Sequence, residues 1–252
     1  MLQRLLLAGV SLFATVAVAQ AAPITTFSSS ISSPIPPTGA IVTPIAIAGV
    51  TGTPSTATIT TSAYTVTISS PTSPAGEGVV NGTTANVHAV PVAGESGTSP
   101  EYLTGDFGSA LTTDVTASGN YFSTGDGTSS VRITFTTPQT SLALLWGSID
   151  ASNLITLSGG SLTGTDTLTG AAVASADGFV ANGAQGFGGS AYVSLTDTAF
   201  TTVTFTSPTQ ISFEFSGVAG SNAPFNVPEP ISLAVFGAGL AGLAGARRLF
   251  KA

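Results

Sequence analysis

The sequence predicts an all-β fold, a jelly-roll-like β-sandwich, from its composition, its residue spacing and its turn signals. The 252-residue chain is rich in threonine, serine, glycine, alanine and valine, and threonine and valine favour pleated, half-buried strands. Short stretches of alternating apolar and polar residues are separated by turns rich in glycine, asparagine and aspartate. Between residues 24 and 226 we find no amphipathic helical pattern that glycines do not interrupt. Short strands at this spacing are typical of two-sheet sandwiches.

Strand candidates follow one another through residues 57–226, which we assign to the β-sandwich ectodomain. Most alternate apolar and polar residues, as half-buried strands do. Residues 142–146 are continuously apolar, which indicates a central strand covered on both faces. The strands are predicted at residues 64–69, 79–80, 87–92, 131–136, 142–146, 154–158, 192–195, 203–205 and 211–215.

Two local patterns predict hairpins. Asn81-Gly82 is a turn signal between residues 79–80 and 87–92. Residues 133–138 read Ile-Thr-Phe-Thr-Thr-Pro and are echoed by Val-Thr-Phe-Thr-Ser-Pro at residues 203–208. We interpret each copy as strand, proline turn, strand, although a threonine-rich chain can also repeat such a string by chance. Residues 94–128 are predicted to be mostly loop.

Residues 22–56 form a Ser/Thr/Pro-rich segment ahead of the ectodomain. The five prolines between residues 34 and 54 suit either an extended stalk or irregular edge strands. Because Ile41, Val42 and Ile45 are apolar, we expect part of this segment to dock on the sheet.

Residues 1–21 have the form of a secretory signal peptide. Arg4 supplies the positive start, residues 5–19 are apolar, and Ala19-Gln20-Ala21 is a small-residue cleavage site. We therefore place the cut after Ala21, and the implied partners are the Sec translocon and signal peptidase. An uncleaved membrane anchor is the alternative.

The last 26 residues, 227–252, have three consecutive parts. Residues 231–246 carry no charge and would make a helix of about 24 Å, short for a bilayer core of about 30 Å but usable when its flanks lie in the interface. We predict one transmembrane helix there. Basic clusters stay on the cytoplasmic side, so this end of the precursor is expected in the cytoplasm. The apolar run lies between the motif Val227, Pro228, Glu229 and Pro230 and the basic stop Arg247, Arg248 and Lys251 in the tail 247–252.

This ordered tail resembles the PEP-CTERM sorting signal of Gram-negative bacteria. Pro228, Glu229 and Pro230 match its recognition motif, and Arg247-Arg248 match its basic end. The resemblance covers about a tenth of the chain. It implies recognition by an exosortase, a membrane enzyme that processes the tail near Pro-Glu-Pro. It also implies delivery to the cell surface or its surroundings, in bacteria that make exopolysaccharide and biofilm matrix.

Charge and cysteine content exclude several functions. Between residues 22 and 226 Arg132 is the only base, against eleven acids, so binding of nucleic acid through a basic patch is excluded. The chain has no cysteine, which removes disulfides, thiolate chemistry and cysteine zinc sites.

No set of catalytic residues stands out, and we predict that the protein is not an enzyme. The single histidine, His88, falls in a predicted strand, where we interpret it as a strand-surface residue rather than a base. No Gly-x-Ser-x-Gly elbow is present. Acids are numerous enough to form a carboxylate pair for glycoside hydrolysis, but most adjoin turn residues. No cofactor is expected.

Two kinds of binding site have candidates. Calcium takes oxygen ligands from loops, and Asp106, Asp114 and Asp126, with Asp150 beside Asn153, are the candidates for a structural calcium ion. Glycan contact would use aromatic faces, for which the candidates are Tyr102, Tyr121 and Trp146. Core packing is the competing interpretation for Trp146, because it lies in the most apolar run.

The sequence therefore predicts an exported, exosortase-processed protein of the cell surface or extracellular matrix. Its role would be structural or adhesive, in association with exopolysaccharide. A carbohydrate-binding, lectin-like module is the alternative, and a secreted glycoside hydrolase is the third hypothesis.

Overall fold

The structure, a computed structural model, confirms the all-β prediction. It describes residues 22–24, 27–30, 40–45, 56–69, 78–81, 83, 87–91, 120–125, 127, 129–185, 189–209 and 212–225. These residues form twelve strands and one short helix. The strands are β1 (Ala22–Pro23), β2 (Phe27–Ser30), β3 (Val42–Pro44), β4 (Thr56–Thr60), β5 (Tyr64–Ser69), β6 (Gly78–Asn81), β7 (Asn120–Thr124), β8 (Ser130–Gly147), β9 (Leu154–Ser158), β10 (Thr165–Thr169), β11 (Ala191–Thr206) and β12 (Phe213–Ser221), and the helix is α1 (Gly170–Asp177).

Two long antiparallel strands, β8 and β11, run through the centre of the fold. The first half of β8 pairs with β5, and the second half pairs with β12. Along β11, the residues near Val203 pair with β9 and those near Val193 pair with β2. The register between β8 and β11 shifts around Phe200. Pro138 lies in β8 beside that irregularity, where its missing N–H interrupts no regular ladder.

The two halves of this hydrogen-bonded network face each other across an aromatic core. Phe205, from the half that contains β5 and β9, stacks on Phe215, from the half that contains β12 and β7, with ring centroids 3.9 Å apart. Phe213 stacks on Trp146 at 4.4 Å. All four rings are fully buried, and the contacts of Phe205 with Phe213 and Phe215 join the two halves. The strand order β1-β10-β9-β11-β8-β12-β7-β6 does not confirm the jelly-roll topology.

The strongest periodic patterns were interpreted correctly. Residues 64–69 and 154–158 are β5 and β9, and each alternates buried and less buried side chains. Residues 142–146 are buried on both faces within β8. Residues 131–136 and 142–146 belong to one strand, however, and so do 192–195 and 203–205.

Neither hairpin pairing is present among the described residues, although β11 is followed by Pro208 and then by β12, as predicted for the second copy. Residues 133–138 lie within the continuous β8, and β11 and β12 flank β8 instead of pairing with each other. The two echoed strings lie side by side, with Val203 opposite Ile133. Strand β6, which ends at Asn81, pairs with β7. Its partner strand therefore lies within residues 94–128, which were predicted to be mostly loop.

Helix α1 was not predicted. The Thr169 hydroxyl accepts a hydrogen bond from the Ala172 N–H at 3.2 Å and caps its start. Gly178 ends it at φ 77°, a left-handed conformation that glycine adopts at little cost. The short alanine-rich run carries few large side chains, so its amphipathic signal is weak. It is the only helix in the described part of the chain, where no helix is long and apolar enough to span a membrane.

Part of the Ser/Thr/Pro-rich segment docks on the sheet, as expected. β1, β2 and β3 pair with β10, β11 and β12, respectively. Ile45 is buried and Val42 is half-buried, whereas Ile41 is 67% exposed. The three strands bring residues 22–23, 27–30 and 42–44 against ectodomain strands that come later in the chain.

Candidate functional site

Many of the predicted site residues lie outside the described residues. The signal-peptide cleavage residues Ala19 and Ala21, the whole tail 227–252 with its expected transmembrane helix, the glycan candidate Tyr102 and the calcium candidates Asp106, Asp114 and Asp126 all belong to this group.

Two aromatic residues proposed as glycan contacts are core residues. Trp146 is 0% exposed and stacks on Phe213. Tyr121 is 1% exposed, and its hydroxyl shares a 2.5 Å hydrogen bond with His88 Nδ1. Neither ring has a free face for a sugar, because both are covered by the fold, so their assignment as glycan contacts is corrected. The interpretation of His88 as a surface residue was also wrong, since it is 7% exposed.

One row of residues crosses four strands on the face of the sheet opposite the aromatic core. Gly78 of β6 pairs with Ser123 of β7, Ser123 pairs with Glu214 of β12, and Glu214 pairs with Gly147 of β8. Paired residues point to the same side of a sheet, and Glu214 alternates with the core rings Phe213 and Phe215 on its own strand. Three of the four residues in the row are small, so the row forms a shallow trough with one carboxyl group in it.

A segment of the chain, His88–Pro91, lies across this row, and we call it the strap. The Ala89 N–H donates a hydrogen bond to Glu214 Oε1 at 3.0 Å. Pro91 lies over Gly147, where a Cβ would be 2.7 Å from the Pro91 Cα. His88 meets Tyr121 on β7. The strap therefore crosses β7, β12 and β8 in turn.

Glu214 is the buried acid beneath the strap. It is 1% exposed, and its Oε1 also accepts a 2.5 Å hydrogen bond from the Ser212 hydroxyl. Burial raises its pKa to about 7, although the hydrogen bonds from Ser212 and Ala89 oppose that shift. Its other oxygen, Oε2, and the neighbouring Ser123 hydroxyl have no hydrogen-bond partner among the described residues. A neutral Glu214 carboxyl would avoid placing a charge on this unpartnered oxygen.

The Tyr121 hydroxyl lies in the same environment. Burial, together with the nearby Glu214 carboxyl, raises the pKa of Tyr121. Tyr121 therefore stays neutral, and its hydroxyl serves as a hydrogen-bonding group to His88. This hydrogen bond joins the strap to β7.

Asp150 and Asn153, considered together for calcium, have structural roles in the turn after β8. The buried Asn153 side chain accepts from the Asp150 N–H at 2.8 Å and donates to Ser207 Oγ and the Ser212 carbonyl at 3.1 and 3.0 Å. Its oxygen thus already bonds the protein backbone. Burial raises the pKa of Asp150. Within the described ranges no three acidic or histidine side chains come close enough to hold a metal ion.

Sequence reasoning did not single out Glu214. It counted this residue only as one of eleven acids, although a charged residue between Phe213 and Phe215 was a usable signal. Strand alternation places it on the face opposite the two rings, which predicts exposure. The strap that buries it comes from residues 125 positions earlier, and no local pattern indicates that crossing.

The described fold ends next to the sorting tail. Asn222 and Ile41 exchange two hydrogen bonds, from the Ile41 N–H to Asn222 Oδ1 at 2.9 Å and from the Asn222 N–H to the Ile41 carbonyl at 3.3 Å. Phe225 is 6% exposed and belongs to the core cluster. The last described residue is thus fixed in the fold two residues before Val227.

Comparison with known proteins identifies one family motif in the sequence. A family model described as the PEP-CTERM protein-sorting motif matches residues 226–248. No curated protein matches the chain significantly, and neither does any solved structure. The match spans Val227, Pro228, Glu229, Pro230, the apolar run and both arginines of the basic stop. The protein thus carries a C-terminal PEP-CTERM protein-sorting motif, the mark of an exported protein that is targeted to an exosortase.

Proposed function

We propose that this protein is a non-enzymatic structural or adhesive component of the cell surface or extracellular matrix, delivered there by exosortase processing. The observation that carries the proposal is the position of the sorting motif. It begins at residue 226, directly after the buried Phe225. A folded ectodomain followed at once by a sorting tail is the arrangement expected of cargo.

The proposed route has three steps. The Sec translocon exports the chain and signal peptidase cuts after Ala21. Residues 231–246 then hold the precursor in the inner membrane, with Arg247, Arg248 and Lys251 in the cytoplasm. Finally, the exosortase processes the tail near Pro228, Glu229 and Pro230.

Contacts of the buried polar side chains support a structural role for the ectodomain. Glu214 accepts a hydrogen bond from the strap, and His88, which is part of the strap, shares one with Tyr121. Asn153 makes hydrogen bonds with three partners around the turn after β8. These groups stabilise the fold, and each is enclosed within it. Association with exopolysaccharide is the finer part of the proposal and comes from the family resemblance.

Replacing Pro228, Glu229 and Pro230 with alanine in the native host tests the sorting step. We expect the precursor to accumulate in the membrane fraction and the shift to the mature size to disappear. A control with Thr58→Ala and Thr60→Ala, two exposed threonines of β4, should be processed normally. Unchanged surface delivery and an unchanged size shift in the motif variant would contradict the proposal.

The matrix role needs a separate test. Cells that lack the protein, and cells that express the motif variant, would be compared for protein and polysaccharide retained in the extracellular matrix. We expect the protein to sediment with the host's own polysaccharide and the deletion to weaken the matrix. A protein that stays in the supernatant and a matrix that is unaffected by the deletion would contradict an adhesive role.

A further inference from the structure

The strap over Glu214 has the parts of a proton-controlled cover. A short segment from a distant part of the chain crosses the sheet, and a backbone hydrogen bond joins it to a buried carboxyl group at the middle of the crossing. The floor beneath is made of small residues, so the strap and Glu214 fill the trough together. Whatever changes the charge of that carboxyl group acts directly on the contact between the strap and the sheet.

We propose that His88–Pro91 is a pH-sensitive strap, closed over the sheet when Glu214 is protonated and released when Glu214 is ionised. The geometry points to this because one carboxyl oxygen, Oε1, already accepts both available hydrogen bonds, from Ala89 and Ser212. The other oxygen, Oε2, is buried without a partner among the described residues. A proton can reside on Oε2 without disturbing either bond to Oε1.

Ionisation of Glu214 makes the closed position of the strap less favourable. A buried carboxylate with an unpartnered oxygen is costly, because water solvates that oxygen only when the cover opens. Lifting the strap breaks one hydrogen bond, from Ala89, and lets water reach Oε2. Opening therefore becomes easier in the ionised state, and closing becomes easier in the protonated state.

The groups around Glu214 reinforce this direction. Among the residues that the structure describes, the titratable neighbours are Tyr121 on β7, His88 in the strap and Asp150 in the turn after β8. Asp150 raises the pKa of Glu214 further through its negative charge, and Tyr121 stays neutral at physiological pH because its own pKa is raised. The second half of β8 contributes no titratable side chain. Arg132, the only Lys or Arg between residues 22 and 226, is exposed in the first half of β8, which pairs with β5.

The pH range follows from the same carboxyl group. Burial raises its pKa from 4.5 to about 7. In mildly acidic surroundings the folded protein keeps the proton and the strap stays closed. Above neutral pH the carboxyl ionises, the strap opens more often, and Glu214, Ser123 and Tyr121 become accessible to solvent. An exported protein is exposed to the pH outside the cell, so this cover would respond to it.

Hydrogen exchange of the full-length chain in detergent micelles tests the proposal. The probe is the protection of the Ala89 amide from pH 5.5 to 8.5, corrected for the intrinsic pH dependence of exchange. We expect protection to fall at least about tenfold over this range, since the carboxyl titrates within it. Amides in β9, away from the strap, exchange through global unfolding and serve as the internal reference: the protection of Ala89 should lie below theirs at every pH, because the strap opens without unfolding the sheet.

Glu214→Gln is the matched variant, because its side-chain oxygen can still accept from Ala89 while the group never ionises. We expect the protection of Ala89 in this variant to be independent of pH. Protection that does not change with pH in the native chain would overturn the proposal, and so would an equal change in the variant. If the variant does not fold, infrared difference spectra of the native chain decide: loss of a protonated-carboxyl band in step with Ala89 deprotection supports the proposal, and deprotection without that band change overturns it.

Discussion

Pro91 lies so close to Gly147 that β8 has no room for a side chain at this position. A Cβ on Gly147 would be 2.7 Å from the Pro91 Cα and 2.9 Å from its Cβ. Contacts this short force the backbone of the strap to move. The absence of a side chain at residue 147 is therefore a condition for closing the strap over the sheet.

We expect Gly147→Ala to destabilise the protein by about 1–3 kcal/mol, the usual range for overpacking a filled site. Urea titration followed by the fluorescence of Trp146, the only tryptophan, measures this change. Thr134→Ala, at an exposed position of the same strand, is the control and should change the free energy of unfolding by less than about 1 kcal/mol. Equal effects of the two substitutions would show that Pro91 does not confine residue 147.

The side chain of Asn153 joins three parts of the chain, and its removal should be costly. Asn153→Ala leaves the Asp150 N–H and the Ser212 carbonyl without this partner. Because the Asn153 side chain that these two groups contact is buried, we expect the free energy of unfolding to fall by about 2–4 kcal/mol. The matched control is Asn182→Ala, since Asn182 is exposed and accepts one hydrogen bond, from the Ala184 N–H. Similar unfolding midpoints for the two variants would contradict the role of Asn153.

Local pattern was sufficient to predict the elements whose environment is set by their own strand. Val66 and Ile155 lie in strands with strict alternation, and both are buried as that alternation requires. The apolar run that contains Leu144 indicated burial on both faces, and the sorting motif was readable because its parts are consecutive in sequence.

Long-range contacts account for the failures. Pro138 suggested a turn, but β8 continues through it. Strand β11 pairs with β8 on both sides of Pro138, and only the register shifts there. Tyr121 was expected near the surface from sequence and Glu214 was not singled out, and the strap buries both. No spacing within β12 or β7 carries information about residues 88–91, so a single sequence could not predict this site.

The stack of Phe205 on Phe215 should be among the most sensitive contacts of the core. Phe205 also meets Phe213 edge to face, with centroids 5.6 Å apart, and is fully buried. Phe205→Ala removes a ring that touches the opposite half of the sheet network, and we expect a loss of about 3–5 kcal/mol. Phe205→Leu, which fills part of the same space, should lose clearly less.

The control for this position is Thr204→Ala, because Thr204 lies on the same strand and is only half-buried. Its loss should stay below about 1 kcal/mol. Thermal unfolding followed by circular dichroism ranks the three variants. A Phe205→Ala protein as stable as the Thr204→Ala protein would show that the two halves are held together elsewhere.

The stability of the whole protein should decrease as pH rises from about 4.5 to about 7. Glu214 has a higher pKa folded than unfolded, so the folded state binds more protons in this range and loses stability as they dissociate. The shift corresponds to at most about 3 kcal/mol. Asp150 and Asp197 also have raised pKa values because of burial, so they act in the same direction.

Glu214→Gln should flatten most of this dependence of stability on pH, and Asp197→Asn, which removes a less buried acid, should flatten little of it. Urea titrations at pH 4.5, 5.5, 6.5 and 7.5 supply the measurement, and a native protein that gains stability over this range would contradict the assignment of Glu214 as a buried, protonated acid.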